Sequence, residues 1–291
     1  MSKRRGRRPE SAPRKEKVRD VFVPRPFEGL PGEADWVALR EIVPAATARV
    51  RIADSGAGSG PGAVVTVVTV LPLGWPGLVR TDGQVMIGLQ VAARSGDVSR
   101  DLGGVLTEAL AAEPGTSLTV PGAPGPRLQD LLAPDPLTVE VREGYSFWLD
   151  GGGADADPEV AASLERADAV VVPTVRLAAA PAAYWCRMPE RAHLRWVLPN
   201  GEDADLDALT RLYAEDALSL GEGTRYVGAF RAHGLLAPVW DLPHSADAAE
   251  WEEPVAALAA RLAAVGAAPA PLGAAERRVR EGLKLRQVTI R

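Results

Sequence analysis

The chain has a single cysteine, Cys186, among its 291 residues. That excludes an internal disulfide framework and any structural zinc site built on thiolates, so a reducing, cytoplasmic setting is expected. Long apolar runs are missing as well. The longest, residues 63–73, contains Thr66, Thr69 and Pro72 and falls well short of the roughly 20 residues a membrane helix needs, so no transmembrane segment is expected. The basic start does not read as a secretory signal, because Glu10, Arg14, Lys15, Glu16 and Lys17 follow it in place of an apolar stretch. The signatures Gly-x-Ser-x-Gly and His-Glu-x-x-His do not occur, and no metal and no cofactor is expected. Aromatic residues are scarce at 5%, yet seven are Trp against four Phe, the kind of side chain that anchors cores and interfaces.

What is present is a globular composition with an uneven charge. At 46% hydrophobic, the chain can bury one large core or two ordinary ones. Residues 1–20 hold nine Lys or Arg against three acids, so the remainder carries a net −11 within a total of −5. This arm includes Arg4, Arg5, Arg7 and Arg8, and such a field is drawn to phosphate. No aromatic is interleaved before Phe22, which leaves base stacking unsupported, and an acidic body repels nucleic acid. The arm is expected to be a disordered, solvated tail.

The middle of the chain reads as written twice. A helix-then-strand stretch over 33–49 recurs loosely over 158–176. Gly115-Thr116 and Leu131-Leu132-Ala133-Pro134 then find echoes in Gly223-Thr224 and Leu235-Leu236-Ala237-Pro238. In the first half, helices are predicted over 33–43, where Trp36, Leu39 and Val43 share a stripe ended by Pro44, and over 97–113. Strands are predicted over 47–53, 63–71, 84–93, 118–120 and 137–149. In the second half, helices are predicted from 158, over 204–220 and over 246–265, with strands over 169–177, 183–187, 193–198, 225–231 and 236–242. Strands outnumber crossover helices. The expectation is therefore an α+β fold of two tandem related units, each a mainly antiparallel sheet with helices on one face. The boundaries are a tail over 1–20, a first unit with an N-terminal strap over 21–150, a linker over 151–157, a second unit over 158–266 and a basic segment over 267–291.

Four stretches carry a family resemblance: Phe-Glu-Gly-Leu-Pro-Gly-Glu at 27–33, Asp-Trp-Val-Ala-Leu-Arg-Glu-Ile-Val-Pro-Ala-Ala-Thr at 35–47, Leu-Ala-Pro-Val-Trp-Asp-Leu-Pro at 236–243 and Glu-Trp-Glu-Glu-Pro at 250–254. With them the chain resembles DUF5926, an actinobacterial family of uncharacterised proteins. The resemblance implies a bacterial cytoplasmic protein and no assigned activity. The order of elements is also similar to that of type III secretion chaperones and YbjN-like proteins, which implies polypeptide binding without catalysis.

Candidate sites are few. The glycine-rich stretch 56–62 has Pro61 and a predicted strand behind it in place of a helix N-terminus, so it reads as a hairpin connection. The carboxylates of 150–157 lack calcium-loop spacing and read as the linker. If 188–191 forms a two-residue turn, Cys186 opposes His193 and Tyr184 opposes Arg195. A carboxylate brought alongside would then orient the imidazole for thiolate chemistry. The competing reading is a lone cysteine acting as a small buried hydrophobe. Among the tryptophans, Trp75, Trp240 and Trp251 are candidate partner contacts, Trp75 foremost because Leu-Gly-Trp-Pro-Gly at 73–77 sets its indole in a turn. The expected function is a non-catalytic protein-interaction or chaperone-like module that binds a protein or peptide partner across the two units. The alternatives are an enzyme using Cys186 and His193, and a nucleic-acid-associated protein acting through the basic tail.

Overall fold

The computed structural model describes residues 21–54, 62–92, 94–120, 122–153, 157–267 and 270–285. The first half runs α1 (Glu33–Glu41), β1 (Ala46–Arg51), β2 (Val64–Val68), β3 (Gly77–Val79), β4 (Val85–Gly88), α2 (Val98–Ala111), β5 (Ser117–Leu118), α3 (Leu128–Leu131) and β6 (Thr138–Val141). The second runs α4 (Pro158–Asp168), β7 (Thr174–Arg176), β8 (Ala183–Arg187), β9 (Ala192–Trp196), α5 (Glu202–Ala214), β10 (Arg225–Ala232), β11 (Leu235–Leu242), α6 (Glu252–Ala267) and α7 (Ala274–Leu285).

Two sheets result, an α+β architecture as expected. The first has six strands in the order β5-β3-β4-β2-β1-β6, and the second has five in the order β10-β11-β9-β8-β7. All pairings are antiparallel except β2 with β4. The two connectivities differ: β6 returns beside β1 in the first sheet, whereas β7, β8 and β9 form a plain meander in the second. The recurrence in the sequence is thus not repeated as strand order.

Alternation decides what each strand buries. On β1, Ala46, Ala48 and Val50 point into the main core while Thr47, Arg49 and Arg51 point the other way. On β2, Val65 and Val67 point inward. Helices α1, α2 and α3 cover that inner face of the first sheet. Midway along α2, Gly103 and Gly104 let the 123–126 segment cross the helix: a Cβ on Gly104 would sit 2.3 Å from the Ala123 carbonyl oxygen. The second sheet packs Trp185, Leu194, Trp196 and Trp240 against Leu206, Leu209 and Leu212 of α5, Val255 and Leu258 of α6, and Leu283 of α7. Arg280 of α7 adds ion pairs to Asp203 and Asp207 of α5.

Helix α1 belongs to both sheets. Six consecutive residues from Ala34 to Leu39 are buried, more than one apolar stripe accounts for, so the helix is enclosed all round. Its main-core neighbours include Tyr184, Val197, Leu235 and Ala237 of the second sheet. The enclosure buries a charge, Asp35, 5% exposed, and the second sheet satisfies it. The Nε and Nη2 of Arg176 donate to its two carboxylate oxygens at 3.2 and 3.1 Å, and the Tyr184 hydroxyl donates at 3.1 Å. Burial, and then the nearby Asp35 charge, pushes the Tyr184 pKa up, so the phenol stays a donor.

The predicted strap also ties the halves together. Phe27 is fully buried and stacks 6.1 Å from Trp36, and Arg25 forms a two-pronged pair with Glu33 at 2.6 and 2.7 Å while donating to the Pro199 carbonyl. Each buried aromatic contributes roughly 2–3 kcal/mol. At the far end of α1, the Nε2 of His233, in the β10–β11 turn, lies 2.8 Å from Glu41 Oε1.

Two outcomes test this account. Asp35→Ala leaves the Arg176 guanidinium and the Tyr184 hydroxyl without their acceptor and is expected to cost roughly 3 kcal/mol in urea unfolding. A cost below about 1 kcal/mol would show that the halves do not lean on it. The hydrogen bond from His233 is the first cause holding the Glu41 pKa below its usual value, against burial. Stability from this group is therefore complete above its unfolded pKa of about 4.3 and is lost as pH falls through the lower folded value. Glu41→Gln should be less stable at neutral pH and show a shallower decline between about pH 5 and pH 3, read from unfolding midpoints across that range.

Candidate functional site

The three candidate tryptophans occupy different places. Trp240 is fully buried on β11 and donates its indole N–H to the Leu218 carbonyl at 2.9 Å, while Trp251 is 6% exposed beneath α6. Both are core anchors and not surface contacts, because helices α5 and α6 cover the face their indoles occupy. Trp75 is half-buried. It packs beside Val68, Leu71 and Met86 together with Leu78, Phe147 and Trp148 on the outer face of the first sheet. Next to it, Leu73 is 91% exposed and holds a left-handed backbone with φ 55°. That conformation costs a leucine about 1–2 kcal/mol.

The predicted hairpin register is the one observed: Cys186 pairs with His193 and Tyr184 with Arg195. A carboxylate does lie alongside, since Asp241 of β11 pairs with His193 in register and its Oδ1 is 3.2 Å from Nδ1. Asp241 also takes ion pairs from Arg225 at 2.6 Å and Arg191 at 3.3 Å. The remaining parts do not make a nucleophile. Cys186 is 2% exposed, and burial pushes its pKa up. Burial is likewise the first cause lowering the His193 pKa, with Asp241 opposing and Arg195 adding to the fall. At neutral pH the pair is a thiol facing a neutral imidazole, not a thiolate facing an imidazolium.

The outer face of the first sheet is different in kind. A cleft of about 190 Å³ crosses β4, β2, β1 and β6 over the row Met86, Thr66, Arg49 and Thr138. Thr66 and Thr47 are 5% and 7% exposed, and each hydroxyl accepts from a group behind it. Arg80 Nη1 donates to Gln84 Oε1 at 3.1 Å, and Gln84 Nε2 donates to Thr66 Oγ1 at 2.8 Å. Arg142 Nη2 donates to Thr47 Oγ1 at 3.0 Å. Arg80 is neutralised by Asp150 at 2.7 Å, and Arg142 by Glu140. Among the described residues, Arg49 has neither ion-pair nor hydrogen-bond partner.

A larger recess of about 630 Å³ lies where α5 meets β10, lined by Tyr213, Asp216, Ser219, Thr224, Arg225 and Tyr226. Its Ser219 and Thr224 hydroxyls are bonded to each other and to Gly221, and its arginine is the one committed to Asp241. Among the described residues no cluster of His, Cys, Asp and Glu could hold a metal, and no helix is long and apolar enough to cross a membrane. Arg4, Arg5, Arg7 and Arg8, most of the glycine-rich stretch 56–62 and residues 154–156 of the linker lie outside the described residues. Sequence reasoning missed Arg49 and the two threonines. The alternation of Thr47, Arg49 and Arg51 on a strand was the available signal.

Fold and site define an α+β protein with two mainly antiparallel sheets, one of them open on a polar face. A family of unknown function, DUF5926, matches residues 26–291, and the chain belongs to that family. Comparison with curated proteins and with solved structures gives no match, so the likeness in element order to secretion chaperones has no structural support.

Native Cys186 is expected to react with a thiol reagent such as Ellman's at a rate set by unfolding, and fast only in denaturant. A rate in the native state matching that of a free thiol would restore it as a nucleophile candidate.

Proposed function

We propose that this protein is a non-catalytic binding module that docks a protein or peptide partner on the outer face of its first sheet, around Leu73 and Trp75. The observation that carries the reading is Leu73, a large apolar side chain 91% exposed on a left-handed backbone, two residues before the half-buried Trp75 in the same turn. A single exposed apolar residue is common on its own, but here it coincides with a strained backbone, and strained positions concentrate at binding sites. The buried, protonated thiol of Cys186 supports a non-catalytic reading over the Cys186 and His193 alternative. A reducing, cytoplasmic setting belongs to the same reading and is supported by the single cysteine.

A photocrosslinking amino acid placed at position 73 in cells is expected to give a discrete adduct, whereas the same probe at Val160, an exposed position on α4, is not. Leu73→Ser should abolish co-purification of the adducted partner, and Cys186→Ala should not. No adduct from position 73, or equal adducts from both positions, would overturn the proposal.

A further inference from the structure

The cleft beside this patch indicates what a partner brings. Its donors outnumber its acceptors: Arg49, Arg80 and Arg142 line it together with the two threonine hydroxyls, and its acceptors, the Glu140 carboxylate and Gln84 Oε1, are taken by Arg142 and Arg80. The Thr66 hydroxyl accepts from Gln84, which accepts in turn from Arg80, and the Thr47 hydroxyl accepts from Arg142. Both threonines are more than nine-tenths buried, and neither hydroxyl proton has an acceptor among the described residues. Because each bond behind them originates at a guanidinium, the hydroxyls are polarised as donors toward the cleft. Arg49 pairs with Thr66 across the strands and lies two residues from Thr47 on the same face, so its guanidinium, without a partner among the described residues, joins the two hydroxyls. Two buried donors and one free cation match an oxyanion, and Arg fits a carboxylate in two-pronged fashion.

Size and surroundings narrow the choice. About 190 Å³ is smaller than the roughly 300–1,000 Å³ usual for small-molecule sites and suits a side chain. The wall on one side is Met86 and Phe147, which also belong to the apolar cluster with Trp75. Met86 and Phe147 border both, so the cleft adjoins the apolar cluster that holds Trp75. We propose that the occupant is an acidic peptide segment of a partner protein, with an Asp or Glu carboxylate held by Arg49, Thr47 and Thr66 and a neighbouring apolar side chain against Leu73 and Trp75. This rests on the docking reading above and adds the chemistry of the docked segment.

The test is a selection from a random peptide phage library on the full chain, repeated on Arg49→Glu and on Leu73→Ser. Arg49 is an exposed strand residue without partners among the described residues, so its replacement is expected to leave the fold intact, checked by an unchanged unfolding midpoint. On the unaltered chain the consensus should hold an acidic residue next to a large apolar one. On Arg49→Glu the acidic preference should vanish or turn basic while the apolar one stays, and on Leu73→Ser the apolar preference should fade. A synthetic consensus peptide should bind about tenfold more weakly when its acid is changed to the amide, measured by fluorescence anisotropy. Apolar enrichment without acidic enrichment, or acidic enrichment unchanged by Arg49→Glu, overturns the carboxylate proposal and leaves the docking reading standing. Failure to select any peptide overturns both.

Discussion

A carboxylate taken out of water has to be met by donors, and in this protein Asp35 sets that demand at the centre of the molecule. It sits on α1, which both sheets enclose, and its partners Arg176 and Tyr184 come from the second half of the chain. An apolar residue there would pack in many rotations. A charge with two donors permits one, because an unpaired buried ion costs several kcal/mol. The position of the second sheet relative to the first therefore follows from this contact, with the Phe27 and Trp36 stack and the Arg25 pairs supporting the same arrangement.

The enclosure of α1 also explains why a binding face is left where it is. The second sheet is used on both faces, by α5, α6 and α7 on one and by α1 and the strap on part of the other. The first sheet spends its inner face on the same core, and its outer face carries only a single 3-10 turn, Ser146–Trp148, whose Phe147 and Trp148 pack over Val68, Leu71 and Met86. Alternation along β1 and β2 then presents threonines and arginines outward with no layer to cover them. Those groups settle among themselves as far as charges allow, Arg80 with Asp150 and Arg142 with Glu140, which leaves Arg49 over.

Much of the local structure was legible in the sequence. The α1 stripe and its Pro44 stop, the β8–β9 turn and its register, and the second-half order of strands and helices all rest on short-range signals, namely periodicity, β-branched runs and turn residues. What escaped was short or depended on distant partners. Strand β3 has three residues and α3 has four, too few for any periodicity to show. The helix predicted to reach 220 ends at Ala214 because Asp216 takes a left-handed backbone. Trp240 and Trp251 are candidate partner contacts by their place near turns and helix starts, a position that says nothing about which helix will cover them. The candidate site fared similarly: Trp75 was visible in its turn, but the convergence of Arg49, Thr47 and Thr66 was not.

By itself the amino-acid sequence determined most of the longer strands and helices, the pairing of Cys186 with His193, and the absence of thiolate chemistry built on more than one sulfur. These are properties of neighbours in the chain, where dihedral preference and alternation act. The tertiary structure alone decided that α1 is shared by two sheets, that Asp35 is met by Arg176 and Tyr184 more than a hundred residues away, and that the outer face of the first sheet stays open. Those outcomes depend on which layers stack, and stacking is governed by burial and charge balance between segments that no local pattern connects.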